Sequence, residues 1–236
     1  MPTEPRLTQH PQRAALHNEI HARPPEAVKA PLACLHIVML ADADMREASR
    51  AHLASLLRDH HAPLPDAQTT HLRMDLGAFR VRWELHTEFV AWTFTTALRT
   101  EGFGAREPTG VATVIPRDWL AALPGECLCS LNLWALENSD FGDASLVGLV
   151  LNEDTLVAST VAGGHGEVYT DFALHADGCA RMVLLVGGMT PRRLGRLVQQ
   201  LLEIETYRMA ALLGLPAARD ASTVLGSAER ELASLA

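Results

Sequence analysis

The chain has 236 residues, of which 48% are hydrophobic and 20% charged. This composition excludes a disordered chain, and 16 Gly, 13 Pro and 4 Cys exclude collagen-like and disulfide-scaffold classes. The net charge of −8 gives no overall cationic surface, so we expect no nucleic-acid partner. No run reaches the roughly 18 apolar residues of a membrane helix, and the N-terminus lacks a signal-peptide core. The chain as given is predicted to be soluble and cytoplasmic.

The four cysteines are typical of a reducing compartment. They lie in apolar, strand-like runs, and no pair has the C-x-x-C spacing of a zinc or redox site. We therefore expect reduced, buried side chains at Cys34, Cys127, Cys129 and Cys179.

The first third of the chain has the pattern of a layered α/β domain. A short helix is predicted between Pro11 and His21, before the Arg23-Pro24-Pro25 stop. The apolar run Leu32–Ala41 predicts a buried strand. A helix from about Met45 to His60 follows, with Asp42 or Asp44 as its N-cap.

The middle of the chain is rich in alternating β patterns. His71–Leu76 and Phe79–Leu85 alternate on either side of Gly77-Ala78, which predicts a hairpin. Further strands are predicted over the following segments: Phe89–Phe94, Cys127–Leu136, Thr155–Val161, Glu167–Leu174 and Ala180–Val186. One helical turn is expected over Asp118–Leu123.

The C-terminal part changes to a helical pattern. Thr190 caps a helix with Pro191 in its first turn, Gly214 and Pro216 interrupt it, and Ser222–Leu235 forms a second amphipathic run. These elements predict an α/β (α+β) fold with a mixed, mostly antiparallel sheet of roughly six to eight strands, helices packed on one face and a C-terminal helical hairpin. We predict an α/β head domain over residues 1–189 and the start of a stalk-like helical region over residues 190–236.

Two groups of residues could together bind a metal ion. His17 and His21 are four residues apart, which places both imidazoles on one helical face. Glu84, His86 and Glu88 lie on one side of an extended run, if that run is unbroken. In the simpler interpretation, the two histidines lie on the surface of a short helix. The second group then forms the polar face of a two-sided sheet. A metal-dependent hydrolase or transferase that uses this His/Glu cluster remains the alternative function.

Three arginines occupy the first turns of the predicted C-terminal helix. Arg192, Arg193 and Arg196 oppose the helix dipole, which favours anions at that end. An anion or an acidic partner among these donors is one interpretation, and a solvated charged face is the other.

The sequence contains no nucleophile motif. G-x-S-x-G is absent, and Gly163-Gly164-His165-Gly166 precedes a strand-like run, which indicates a hairpin turn instead of a phosphate loop. A non-catalytic role is therefore preferred, and no cofactor is predicted.

Three groups of segments resemble one uncharacterised bacterial family, DUF3422, of predicted membrane-anchored proteins. They are residues 16–24 (LHNEIHARP), residues 79–90 (FRVRWELHTEFV), and, in the third part of the chain, residues 161–164 (VAGG), 167–172 (EVYTDF) and 201–209 (LLEIETYRM). The resemblance spans nearly the whole chain, and the family has no established activity. It implies a soluble head followed by coiled-coil-like helices, with inner-membrane attachment of full-length relatives through a part that follows this chain.

Together these patterns favour a cytosolic head domain that acts as a sensor or an assembly module. Self-association through the C-terminal helices is expected, because an isolated amphipathic helix exposes an apolar stripe. A membrane contact is expected only through a C-terminal part that is absent from this chain.

Overall fold

The computed structural model describes residues 8–13, 24–98, 110–137 and 145–234. Five α-helices lie in these ranges: α1 (Ala43–Asp59), α2 (Arg117–Ala121), α3 (Ser145–Val150), α4 (Pro191–Leu212) and α5 (Leu215–Ser234). Three short 3-10 turns accompany them. The eight strands are β1 (Leu32–Leu40), β2 (His71–Asp75), β3 (Arg80–Leu85), β4 (Phe89–Ala97), β5 (Glu126–Glu137), β6 (Val157–Val161), β7 (Gly166–Thr170) and β8 (Ala180–Val186).

All eight strands form a single sheet in the order β2-β3-β4-β1-β5-β8-β7-β6. Neighbouring strands are antiparallel except for the parallel pair of β5 and β8. This arrangement confirms the predicted mixed, mostly antiparallel α/β fold. The first predicted hairpin is also confirmed, because β2 and β3 pair on either side of Gly77, whose φ of +83° suits glycine.

The helices cover both faces of the sheet, so the prediction that they pack on one face was wrong. Leu35 and Ile37 of β1 pack in one core with Leu53 and Leu57 of α1. Residues of β1 on the opposite face pack in a second core with α4, and that core includes Leu32, Cys34, Leu194, Leu197, Val198 and Leu201. The physical reason is visible in β1, where eight of nine residues are buried. An uninterrupted apolar strand requires cover on both sides.

Helix α1 begins as the sequence predicts. The Asp42 carboxylate accepts a hydrogen bond from the Met45 backbone N–H at 2.9 Å, so Asp42 is the N-cap.

The strand predicted over Glu167–Leu174 ends earlier, at Thr170. The buried Asp171 carboxylate accepts hydrogen bonds from the backbone N–H groups of Asn152 and Ala173 and from His175 Nε2. Phe172 has a φ of +52°, outside the β region. The hydrogen bonds of one aspartate side chain therefore replace strand pairing at this point.

The extended segment Pro24–Ala30 crosses the first turns of α4. Val28 N–H donates a hydrogen bond to Pro191 O at 3.0 Å. A Cβ atom at Gly195 would lie 1.6 Å from Glu26 O, which no real contact allows. Glycine at this position therefore allows the segment to lie directly on the helix.

The C-terminal element consists of α4 and α5, joined by a bend at Leu213 and Gly214, and it confirms the predicted hairpin-like pair of helices. The second helix begins at Leu215, seven residues before the predicted start. Pro216 lies in its first turn, where a missing backbone N–H costs no helical hydrogen bond. Among the described residues, no helix is long and apolar enough to span a bilayer.

Candidate functional site

A cavity of about 300 Å³ lies between the sheet and the middle of α4. Strands β1, β3 and β4 form its floor, and α4 forms its roof. The polar residues that line it are His36, Arg82, Glu84, His86, Thr93, Gln199, Glu203 and Thr206, and the remaining lining residues are Phe89, Ala91, Leu202 and Tyr207.

Strand register brings the floor residues together. Thr93 of β4 pairs with both Arg82 of β3 and His36 of β1, so the three side chains form one row across the sheet. Glu84 pairs with Ala91 in the next row on the same face. The small Ala91 side chain leaves open space beside Glu84.

His36 is held by two threonines in the buried part of the site. Its Nδ1 lies 2.9 Å from Thr93 Oγ1, and its Nε2 lies 3.0 Å from Thr206 Oγ1. Thr206 donates its own hydroxyl proton to Leu202 O at 2.9 Å. It must therefore accept from His36 Nε2–H, which assigns the neutral tautomer with Nδ1 as acceptor.

Burial sets the charge state of His36. Burial first, and then the nearby charges of Arg82 and His86, lower the pKa of His36 to about 3. The imidazole is neutral at physiological pH, with both ring nitrogens engaged. It therefore serves as a fixed polar support for α4 on the sheet.

A charged chain of hydrogen bonds connects β3 to α4. Arg82 Nη2 donates to Glu84 Oε1 at 2.7 Å, and Arg82 Nη1 donates to Gln199 Oε1 at 3.2 Å. Gln199 Nε2 in turn donates to Glu203 Oε1 at 2.8 Å. The side chains of Arg82 and Glu84 are largely buried, so their ion pair is well shielded from solvent.

Aromatic rings form the end of the cavity near the turn between β3 and β4. His86 stacks on Phe89 with ring centroids 4.3 Å apart. Phe89 also makes an edge contact with Tyr207 of α4 at 6.4 Å. The cavity thus has polar groups on its floor and an aromatic wall at one end.

The structure separates the predicted metal-binding residues. Glu84 and His86 both line the cavity, whereas Glu88 is exposed in the turn after β3 and lines a different surface depression. The expected alternation stops because β3 ends at Leu85. His17 and His21 lie outside the described residues. In the ranges the structure describes, no three His, Cys, Asp or Glu side chains are grouped to hold a metal ion.

The predicted anion site lies away from the cavity. Arg192, Arg193 and Arg196 are exposed on the first turns of α4. Arg193 donates a hydrogen bond to Ala162 O at 2.6 Å, which anchors the helix to the loop after β6. An anion or an acidic partner at these three residues stays a prediction.

Sequence patterns did not identify the centre of the site. His36 is the one strongly polar residue in the apolar run Leu32–Ala41, and the strand prediction for that run assigns it no role. A lone histidine inside a buried strand requires buried hydrogen-bond partners. This requirement indicates that polar side chains elsewhere in the chain must contact His36, and the structure identifies them as Thr93 and Thr206.

The cysteines are free thiols, and three are buried as expected, whereas Cys127 is exposed near the start of β5. Burial raises the pKa of Cys34 and of Cys129 to about 12. These two thiols are therefore protonated at neutral pH and are poor nucleophiles.

A family model described as a protein of unknown function (DUF3422) matches residues 8–236. The chain belongs to this family. No curated protein matches the chain, and no solved structure matches it. The family membership confirms the resemblance seen in the sequence, and it assigns no activity.

Proposed function

We propose that this chain is a non-catalytic sensor or assembly module, in which the α/β body is brought together with a second copy through the C-terminal helices. The observation that carries this proposal is α5, a 20-residue helix in which no residue is buried. Most helical stability in proteins comes from packing of an apolar face. An amphipathic helix without such packing is therefore expected to find a partner surface.

The apolar stripe of α5 has the spacing of a coiled-coil seam. Ala218, Ala221, Leu225, Ala228 and Leu232 follow an alternating spacing of three and four residues. Leu225 and Leu232 are 62% and 71% exposed. A seam of three alanines and two leucines allows close approach of an identical helix, and an isologous contact then covers both stripes at once.

The cavity supports the non-catalytic part of the proposal. The two ring nitrogens of His36 are engaged by threonine hydroxyls, and Glu84 is paired with Arg82. A general base must be available to accept a proton from a substrate. These groups instead hold α4 on the sheet.

Self-association is tested by sedimentation velocity of the purified chain at tens of micromolar. We expect the wild-type chain to form dimers or larger assemblies, and the L225E/L232E variant to be monomeric. The matched control is T223E/S227E, which adds the same charge on the opposite face of α5 and should still self-associate. A monomeric wild-type chain, or identical behaviour of the two variants, would contradict the proposal.

We also propose that the module works on the cytosolic side of the inner membrane, attached in full-length relatives by a part outside this chain. The membrane attachment that the segment resemblance implies and the four free cysteines support this placement. Fractionation of cells that express the natural gene product tests it. Recovery in the membrane fraction, with protease resistance in spheroplasts, is expected, and recovery in the periplasm would contradict it.

A further inference from the structure

We propose that strand β6, at the edge of the sheet, pairs antiparallel with β6 of a second copy of this chain, so that the two eight-stranded sheets join into one. This inference goes beyond the proposed contact through α5, because it uses a different surface and does not depend on that contact. It rests on the exposure of β6, on the lack of any residue that blocks this edge, and on the charges at the two ends of the strand.

Strand β6 is an open edge with exposed side chains. It pairs with β7 through five residues in continuous register, and no strand among the described residues lies on its other side. Four of its five residues are exposed, and Val157 is 46% exposed. Alternate backbone N–H and C=O groups of an edge strand point outward. They therefore offer hydrogen bonds to a further strand.

The opposite edge of the sheet is blocked, whereas the edge at β6 is not. Strand β2 carries the charged residues Arg73 and Asp75. Arg73 donates a hydrogen bond to Pro24 O, and Asp75 forms an ion pair within the β2–β3 hairpin. Charged side chains and covering segments are common means of preventing strand addition. Residues 156–166 (LVASTVAGGHG) instead contain no Asp, Glu, Lys, Arg or Pro, so the edge at β6 is open to another strand.

The sequence of β6 fits a copy of itself. A two-fold antiparallel pairing centred on Ser159 places all five residues opposite a partner. Val157 then lies opposite Val161 of the second copy, and Ala158 lies opposite Thr160. Branched and hydroxyl side chains are favourable neighbours across strands, and no like charges face each other in this register.

The pairing also covers apolar surface beside the strand. Val157, Ser159 and Val161 share the sheet face toward α4, since Val161 packs against that core. An open groove continues from β6 onto α4, and its lining includes Val161, Ala162, Leu197, Leu201 and Ile204. The exposed Val157 of one copy therefore reaches the β6 end of this groove in the other copy.

Opposite charges lie at the two ends of β6. The acidic turn Glu153–Thr155 precedes the strand. At the other end, Arg193 donates a hydrogen bond to Ala162 O. Arg192 and Arg196 are exposed on the same first turns of α4. Antiparallel pairing brings the acidic end of one copy toward the arginine end of the other, and the two-fold axis repeats this attraction at both ends. The second copy is then the acidic partner of these arginines.

The contact between two five-residue strands is small, so we expect it to be weak at tens of micromolar. On a chain that also pairs through α5, it provides a second two-fold contact and links dimers into larger assemblies. A covalent trap is the suitable measurement, because it accumulates a weak but specific contact.

Disulfide trapping tests the pairing in a chain without the α5 contact. The background variant is C127S/L225E/L232E, which removes the exposed native thiol and is expected to be monomeric. S159C is added to it, because opposed residues of antiparallel strands have Cα atoms about 4.5–5.5 Å apart, within the range of a disulfide. The matched control is V157C on the same face of β6, whose two copies would lie four residues apart along the pairing, roughly 13 Å or more.

We expect S159C to form a disulfide-linked dimer under mild oxidation at tens of micromolar, measured on non-reducing gels. V157C should form one at least about tenfold more slowly. Equal rates in the two variants would show random collision and would overturn the proposal. The absence of the S159C dimer would also overturn it, and an extended segment of another protein would then be the candidate for this edge.

Charge reversal tests the antiparallel orientation. In the S159C chain, either E153K/D154K or R192E/R196E should slow formation of the trapped dimer several-fold, because like charges then meet at both ends of the contact. All four reversals together should restore the rate. Circular dichroism confirms that each variant is folded. A trapping rate that neither reversal lowers, or that the combined variant does not recover, would overturn the proposed arrangement.

This inference and the proposed function fail separately. Trapping of S159C in the L225E/L232E background reports only on β6. The difference in sedimentation between L225E/L232E and T223E/S227E reports only on α5.

Discussion

The two faces of the sheet are built on different principles. The face toward α1 is closed by aromatic rings, in which Trp92 stacks on Phe94 and contacts Trp119 edge-on at 5.5 Å. The face toward α4 instead buries a polar row around His36, in which the ring nitrogens have partners. On the α1 face, the indole N–H groups of Trp83 and Trp92 are buried without a partner among the described residues.

This contrast shows how each face obtains its stability. Burial of a large aromatic ring stabilises the fold in proportion to the apolar area removed from water. This gain exceeds the cost of one unpaired indole N–H. A polar row contributes little net free energy, but it becomes costly as soon as one partner is lost. We therefore expect the free energy of unfolding to depend on side-chain volume at the α1 face. At the α4 face, it should depend on individual hydrogen-bonding atoms.

The largest effect is expected on the aromatic face. Trp92→Ala removes a fully buried ring and should lower the free energy of unfolding by about 3–5 kcal/mol, measured by urea denaturation. Trp92→Phe keeps a ring and also removes the unpaired indole N–H, so it should cost less than half as much. Equal losses in the two variants would show that the donor matters more than the volume.

The contact between the extended segment and α4 gives the next largest effect. Gly195→Ala places a methyl group against Glu26 O and should cost about 3 kcal/mol in the same assay. The matched control is Gly226→Ala on α5, where a Cβ atom meets nothing within 4 Å. That variant should be neutral or slightly stabilising, because alanine favours the helix. A tolerated G195A would mean that the segment does not lie on the helix.

A single atom is expected to decide stability on the α4 face. Thr206→Val keeps the side-chain shape but leaves His36 Nε2–H buried without an acceptor, which should cost about 2 kcal/mol. Thr206→Ser retains the hydroxyl and should cost clearly less. If the two variants unfold at the same urea concentration, the hydroxyl plays no part in holding His36.

The smallest effect is a pH dependence that originates at His36. Burial lowers the pKa of His36 in the folded chain to about 3, whereas the unfolded chain titrates near its ordinary value. The unfolded state then binds more protons below about pH 6.5, so stability falls as the pH decreases from there toward 3. Between pH 7 and pH 5.5 the expected loss is about 1 kcal/mol. His36→Asn should reduce the change of unfolding free energy with pH. If that pH dependence is unchanged in the variant, it originates from other titratable groups.

The sequence predicted the elements better than the site, for a physical reason. Strand β3 was found because its alternation follows from one polar and one apolar face, which is a local pattern. Its predicted end at Leu85 is also observed, so the run through Glu88 is broken, and Glu84, His86 and Glu88 do not lie along one strand. The early end of β7 instead depends on hydrogen bonds that Asp171 makes to residues on both sides of it.

The site depends on distant pairs, which local patterns do not show. His36 and Thr206 are 170 positions apart and meet only because α4 lies across β1. The prediction of a stalk-like region over residues 190–236 placed this helix outside the head domain. Glu84 and His86 were identified from alternation alone and do line the cavity, whereas Arg82, on the same face of β3, was overlooked.

The parallel contact between β5 and β8 divides the sheet into two ladders of antiparallel strands. Residues up to Glu137 hold five of the strands, and residues from Ser145 hold the other three together with α4 and α5. A chain cut between these two parts would yield fragments that each retain a complete set of hairpin-like pairings. Their reassembly would require the β5–β8 register and the return of α4 to the first part. There α4 packs on Leu131 and Leu133 and contacts His36 and the segment Pro24–Ala30, which makes this protein suited to split-reporter complementation.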